Sequence, residues 1–168
     1  MITPDWMRVM ARYNRWQNAG LMAAAGTLTE EARQADRGAW FGSISGTFNH
    51  LLWGDLTWLS RFGRNDRPEV ALKDSPRLFP DWEGFRAARM AQDAVIAVWA
   101  EAATPADLEG DLVWTSVGDG AELRRPRAIC IMQIFNHQTH HRGQIHAMLT
   151  AAGARPGTTD LPFLPDDA

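Results

Sequence analysis

The chain has 168 residues, 45% of them hydrophobic, with a formal net charge of −3 and one cysteine. That length suits one domain with its own core, and the apolar share excludes a disordered chain. The charge excludes a general attraction to nucleic acid or anionic membrane, and a lone Cys130 excludes an internal disulfide or a thiolate metal cluster.

Thr3-Pro4-Asp5 reads as a helix start: a hydroxyl cap, proline at the first helical position and an acid in the first turn. Trp6, Met10, Tyr13 and Gln17 follow at helical spacing, so a first helix is expected over about 4–25, stopping at Gly26. Polar residues and Gly38 then form a connection. A second helix is expected over about 41–62, where Phe48, Leu51, Leu52, Asp55, Leu59 and Phe62 recur at three and four, with Gly63 as its C-cap. Residues 63–80 hold Pro68, Pro76 and Pro80 among charges and show no sustained period. A structureless loop of that length is either a lid over a site or a plain surface insertion.

Asp81 is the N-cap of a third helix with Phe85, Ala88, Gln92, Val95 and Trp99 inward, ended by Thr104-Pro105. Leu112-Val113-Trp114-Thr115 and Ala121-Glu122-Leu123-Arg124 flank Val117-Gly118-Asp119-Gly120, the pattern of a β-hairpin. The run Arg124-Arg125-Pro126-Arg127 reads as a solvated turn or strand end. A fourth helix is expected from near Pro126 to about Ala152, with Gly153 at its C-cap and Cys130 as inert packing. Pro156, Gly157, Pro162 and Pro165 then make an extended tail. The expected fold is all-α: one domain over 1–168, a four-helix bundle with a small β-hairpin before the last helix. No window approaches a membrane span and Asp5 interrupts any signal-like start, so a cytoplasmic protein is expected.

Four of the five histidines lie between 137 and 146. At about 100° per residue, Ile131, Ile134, Gln138, Ile145, Met148 and Leu149 share one sector of the last helix. His141 falls inside it and His137 beside it, with Gln144 on the edge; His140 and His146 point away. His137 and His141 are four apart, so two imidazoles on adjacent turns can converge on one ion. The same spacing also suits core-edge histidines satisfied by neighbouring polar groups. His50 lies almost opposite the Phe48-Asp55-Leu59 stripe, among Ser43, Gly46, Trp53 and Thr57, so periodicity alone makes it a surface or boundary residue. The small residues before it either admit a close neighbour or mark an exposed face.

Phe135-Asn136-His137-Gln138-Thr139-His140-His141-Arg142-Gly143-Gln144 closely resembles the signature of the DinB family, the DinB/YfiT-like metalloenzymes. His50-Leu51-Leu52-Trp53-Gly54-Asp55-Leu56-Thr57-Trp58-Leu59-Ser60-Arg61-Phe62 resembles its second-helix motif, and Tyr13-Asn14-Arg15-Trp16-Gln17-Asn18 its first. Gly153-Ala154-Arg155-Pro156 and Asp160-Leu161 are also similar. The resemblance implies a four-helix bundle, often a homodimer, holding a divalent metal on His50, His137 and His141. Zinc and nickel both suit such ligands. Characterised members include thiol-dependent S-transferases and isomerases that use bacillithiol or mycothiol.

The leading expectation is therefore a metal-dependent enzyme with thiol S-transferase-like chemistry at a three-histidine site. Its partners would be a small-molecule substrate and a low-molecular-weight thiol, with neither nucleic acid nor membrane involved. The alternatives are a metal-dependent hydrolase, a non-catalytic metal- or small-ligand-binding sensor, and a dimer that the metal merely staples. No catalytic residue is assigned. Asp55, Gln138, Gln144 and Asn136 are candidates to orient the imidazoles, with Asp55 alternatively paired to an arginine such as Arg15. Arg142 is a candidate for binding a substrate carboxylate or for a structural ion pair. Trp53, Trp58 or Trp114 would line an apolar pocket or pack in the core.

Overall fold

The protein is described by a computed structural model covering residues 1–116 and 120–167. Its helices are α1 (Pro4–Gly26), α2 (Glu30–Gln34), α3 (Ile44–Arg61), α4 (Trp82–Glu101) and α5 (Arg127–Ala151), and its strands β1 (Asp111–Thr115) and β2 (Glu122–Pro126). Three long helices start on a side chain that satisfies a free N–H group: Thr3 accepts from Trp6, Ser43 from Gly46 and Asp81 from Gly84. Gly63 and Gly153, at φ of +67° and +83°, turn the chain away after α3 and α5.

Three expectations need correction. The second bundle helix begins at residue 44 rather than 41, because Ser43 is its cap and Ala39 bridges Gly42. The connection after α1 holds a short helix that the sequence reading did not include: Thr29 caps α2, with Glu30 and Glu31 in the first turn. Residues 63–80 are not structureless. They contain a 3-10 turn, Leu72–Arg77, whose Ser75 is fully buried. The segment is tied to α3 by Trp53 Nε1–H donating to the Val70 carbonyl at 2.7 Å and Phe79 N–H donating to Asn49 Oδ1 at 2.9 Å.

β1 and β2 pair antiparallel just before α5, with Trp114 opposite Leu123. The turn expected at Val117-Gly118-Asp119-Gly120 lies, except for Gly120, outside the described residues. Arg124 and Arg125 are exposed on β2. The tail runs back over α1, where Tyr13 Oη–H donates to the Thr159 carbonyl at 2.6 Å and Gln17 to that of Thr158 at 3.0 Å. Its one regular piece is a 3-10 turn, Leu161–Phe163. No helix among the described residues is long and apolar enough to cross a membrane.

α1 and α3 each pack against both α4 and α5, so they occupy opposite corners of the bundle. The apolar core comes in two halves. One holds Leu21, Phe48, Leu52, Phe85, Ile145 and Leu149, the other Met7, Leu59, Ile96, Ile131, Ile134 and Phe135. On every long helix the residues between those halves are polar and buried: Asn14 and Asn18, Asp55, Arg89 and Asp93, Gln138 and Arg142. Buried polar groups must find each other. Arg89 donates to Asp55 at 2.7 Å and to Asp93 at 2.8 Å, and Asn18 donates to Asp93 at 2.9 Å. Gln138 donates to Asp55, and Arg142 to Asn14 and Gln138. This layer sets the height and rotation of α5, which carries His137 and His141.

Candidate metal centre

α3 is buried on almost every side, with Ser43 through Leu52 all buried. The bundle core covers Phe48 and Leu52. The opposite face is covered by Phe41 and by the Leu72–Arg77 turn. Gly46 permits that approach, since a Cβ there would meet the Phe41 carbonyl oxygen at 2.4 Å and Pro76 Cβ at 3.4 Å. His50 therefore sits indoors on the face that lacks an apolar stripe, with 5% of its surface exposed.

From α5, His137 and His141 reach the same place. Among the described residues, His50, His137 and His141 form a group whose ligand atoms all lie within 4.8 Å of one another. His50 Nε2 stands 3.3 Å from His137 Nε2. Gly54 makes room for the His137 ring, for a Cβ at that position would come within 2.6 Å of it.

The second nitrogen of two rings is accounted for. His141 Nδ1 is 2.8 Å from Gln144 Oε1, an acceptor, so Nδ1 carries the proton and Nε2 keeps its lone pair. His50 Nδ1 is 2.9 Å from Ser75 Oγ, and the Phe41 ring stacks on the imidazole with centroids 3.6 Å apart. His137 Nδ1 is buried without a partner.

Burial and the neighbouring imidazoles disfavour a positive charge here. Burial, helped by His141 and His137, pushes His50 down to about 3. Burial, with His141 and His140, pushes His137 down to about 4. His141 is lowered too, by burial, against an upward pull from its bond to Gln144. All three are therefore neutral near pH 7, the form that binds metal.

That donor set fits a divalent ion. Nitrogens bound at roughly 2.0–2.1 Å around a tetrahedral ion sit about 3.3 Å apart, and the His50–His137 nitrogens already have that separation. Three protein ligands also leave a coordination position for water or substrate. A cavity of about 1050 Å³ reaches this point, lined by His50, His141, Trp40, Phe41, Leu72 and Lys73 among others.

Of the other candidates, Gln144 is at the cluster, on His141. Asp55, Gln138 and Arg142 lie together in the polar layer and share no hydrogen bond with the three imidazoles among the described residues. The partner of Asp55 is Arg89, not Arg15, which is exposed on α1. Burial raises the Asp55 carboxyl to about 6 against the pull of Arg89. Burial also lowers Arg142, to about 10, and its guanidinium lies over the Tyr13 ring, away from the cavity. Asn136 is exposed beside Trp6 and Met10. Trp53 faces the His50 ring at 5.9 Å, whereas Trp58 and Trp114 pack edge to face on each other with Arg61 over both rings. Cys130 is buried, and burial raises its thiol. His140 lies outside the three-ligand group yet lines the cavity, with Gln144 Nε2 3.4 Å from its Nε2.

Sequence reasoning missed Ser75, Phe41 and Trp40. Each sits in a connection whose path depends on tertiary contacts, and the one local signal was Gly46, a small residue where the chain closes over α3.

A model of the DinB family matches residues 1–168, the whole chain. No curated protein and no solved structure gives a significant match.

Proposed function

The chain belongs to the DinB family, and from that premise we propose that it is a divalent-metal-dependent enzyme that transfers a low-molecular-weight thiol onto a small electrophile. The observation that carries the reading is the 3.3 Å approach of His50 Nε2 to His137 Nε2, with burial holding both rings neutral. We propose zinc or nickel as the ion and His50, His137 and His141 as its ligands.

When bound, the ion would supply Lewis acidity that lowers the pKa of a thiol or water reaching it. The chain's own residues prepare that step. Three neutral imidazoles contribute no negative charge, so the site favours an anionic partner, and a thiolate is the nucleophile that transfer requires. Gln144 holds His141 in the tautomer whose Nε2 is free. Ser75 and Phe41 fix the His50 ring, and the polar layer fixes α5 behind His137 and His141. The cavity gives the guest one side of approach, past His50 and His141.

The test begins with metal analysis of protein purified without chelator. About one divalent ion per chain is expected, lost in His137→Ala and His141→Ala. Protein that holds no ion and takes up neither zinc nor nickel overturns the reading. Electrophiles are then screened with and without low-molecular-weight thiols. Turnover that needs the thiol and disappears in both variants is expected; turnover without thiol marks a hydrolase instead.

A further inference from the structure

The cavity beside His50 and His141 has apolar walls that are partly held in water. Trp40 is 87% exposed and Leu72 is 55% exposed, and both line it together with Phe41 and Pro76. A flat apolar guest would cover these surfaces, and an exposed indole at a cavity rim is a natural stacking platform. The volume of about 1050 Å³ holds a whole small molecule and not only a water.

Among the described residues the same lining contains one side chain of fixed charge, Lys73. No Asp or Glu lines the cavity among the described residues. The neighbouring carboxylate, Asp74, is occupied by Arg77 at 2.9 Å. Lys73 joins no ion pair among the described residues. Its ammonium is therefore available to a guest.

Resting on the metal reading of this site, we propose that the electrophile is an aromatic compound carrying a carboxylate apart from its reacting carbon, its ring against Trp40 and Leu72 and its carboxylate on Lys73. The two features are complementary. An apolar wall alone accepts any hydrophobe, and the lysine selects those that carry a negative charge.

The test uses naphthoate and its neutral counterpart naphthalenemethanol, titrated calorimetrically into the full chain at pH 8, as purified and after chelation. Naphthoate should bind about three- to fivefold more tightly, the scale of an exposed ion pair. That preference should vanish in Lys73→Ala and reverse in Lys73→Glu. Trp40→Ala should weaken both probes alike. Both side chains are exposed, so the variants keep the fold. A preference that survives Lys73→Ala, no preference at all, or probe binding indifferent to Trp40→Ala overturns the proposal. A preference that disappears on chelation puts the anion on the metal; it overturns the lysine assignment and leaves the metal reading standing. A Lys73-dependent preference in protein that binds no metal keeps the guest class and removes the metal reading.

Discussion

The ring of His137 lies on the bare backbone of Gly54: a Cβ built on Gly54 would come within 2.6 Å of His137 Cε1 and 3.0 Å of its Nδ1. The glycine belongs to α3, the helix that carries His50, so one missing methyl decides whether histidines from two helices can meet. Gly54→Ala should displace the imidazole and weaken metal binding by about 10- to 100-fold, the scale of disturbing the groups that orient a ligand. Stability of the metal-free protein should fall by no more than about 2 kcal/mol, because overpacking is partly offset by the better helix propensity of alanine. Gly20→Ala in α1, where a Cβ meets nothing within 4 Å, is the control and should leave metal binding unchanged. Metal titration and urea denaturation of both variants check this; unaltered affinity in Gly54→Ala would remove His137 from the site.

Gln144 would act on a bound metal through His141. Its Oε1 accepts the Nδ1 proton at 2.8 Å, which fixes both tautomer and ring angle. Gln144→Ala should therefore cost about 10- to 100-fold in metal affinity while changing global stability by less than about 1 kcal/mol. Gln144→Glu keeps an acceptor in place and should restore most of the affinity. Competition with a chromophoric chelator reads all three proteins, and failure of the glutamate to rescue would argue against the tautomer role.

The positions of His137 and His141 were legible because α5 has one apolar face and a spacing of four puts two side chains at its edge. His50 was not, because α3 is covered on both sides by unlike material: apolar core on one, the Phe41 and Leu72–Arg77 connections on the other. A periodicity argument assumes that a polar face meets water, and on α3 that assumption fails. The likeness to a family motif supplied His50 instead. The fold was legible from caps and breakers, with Thr3, Asp81 and Gly153 marking helix ends close to where they occur. The polar layer was half legible. Asp55 and Gln138 stood out as polar residues within apolar stripes, but pairing Asp55 with Arg89 needs the third dimension, since the two are 34 residues apart.

Arg89 is 1% exposed and bridges Asp55 and Asp93. Burial works against its charge, and Asp93 and Asp55 more than reverse that, holding the guanidinium above its ordinary value. Arg89→Met would strand two buried carboxylates and should destabilise the fold by about 3–5 kcal/mol. Replacing all three with apolar residues of similar size should recover only part of that loss, because Gln138 and Asn18 then lose their acceptors and the buried Arg142 loses the carboxylates that favour its charge. Arg86→Ala on the same helix, which breaks an exposed pair with Glu83, should cost under about 1 kcal/mol. Urea denaturation midpoints decide the matter; equal losses for Arg86 and Arg89 would show that the layer contributes nothing beyond surface pairing.

In the metal-free protein, acid should weaken the fold through the histidine cluster. An unfolded chain protonates its imidazoles near 6.5, whereas the folded chain resists until about 4 at His137 and about 3 at His50. Between those values the unfolded state binds more protons, so stability rises with pH and is lost as pH falls below about 6.5. Asp55 works the other way, since a carboxyl raised to about 6 gives a contribution that is lost as pH rises through that value. Comparing wild type with His137→Asn cancels the Asp55 contribution, which both share. The variant lacks one of the clustered, partly buried imidazoles, so its stability should fall less steeply between pH 6.5 and 4. Urea midpoints measured with chelator present across that range provide the slopes. Parallel curves for the two proteins would mean that His137 titrates alike in the folded and unfolded chain, and that burial does not hold its ring neutral.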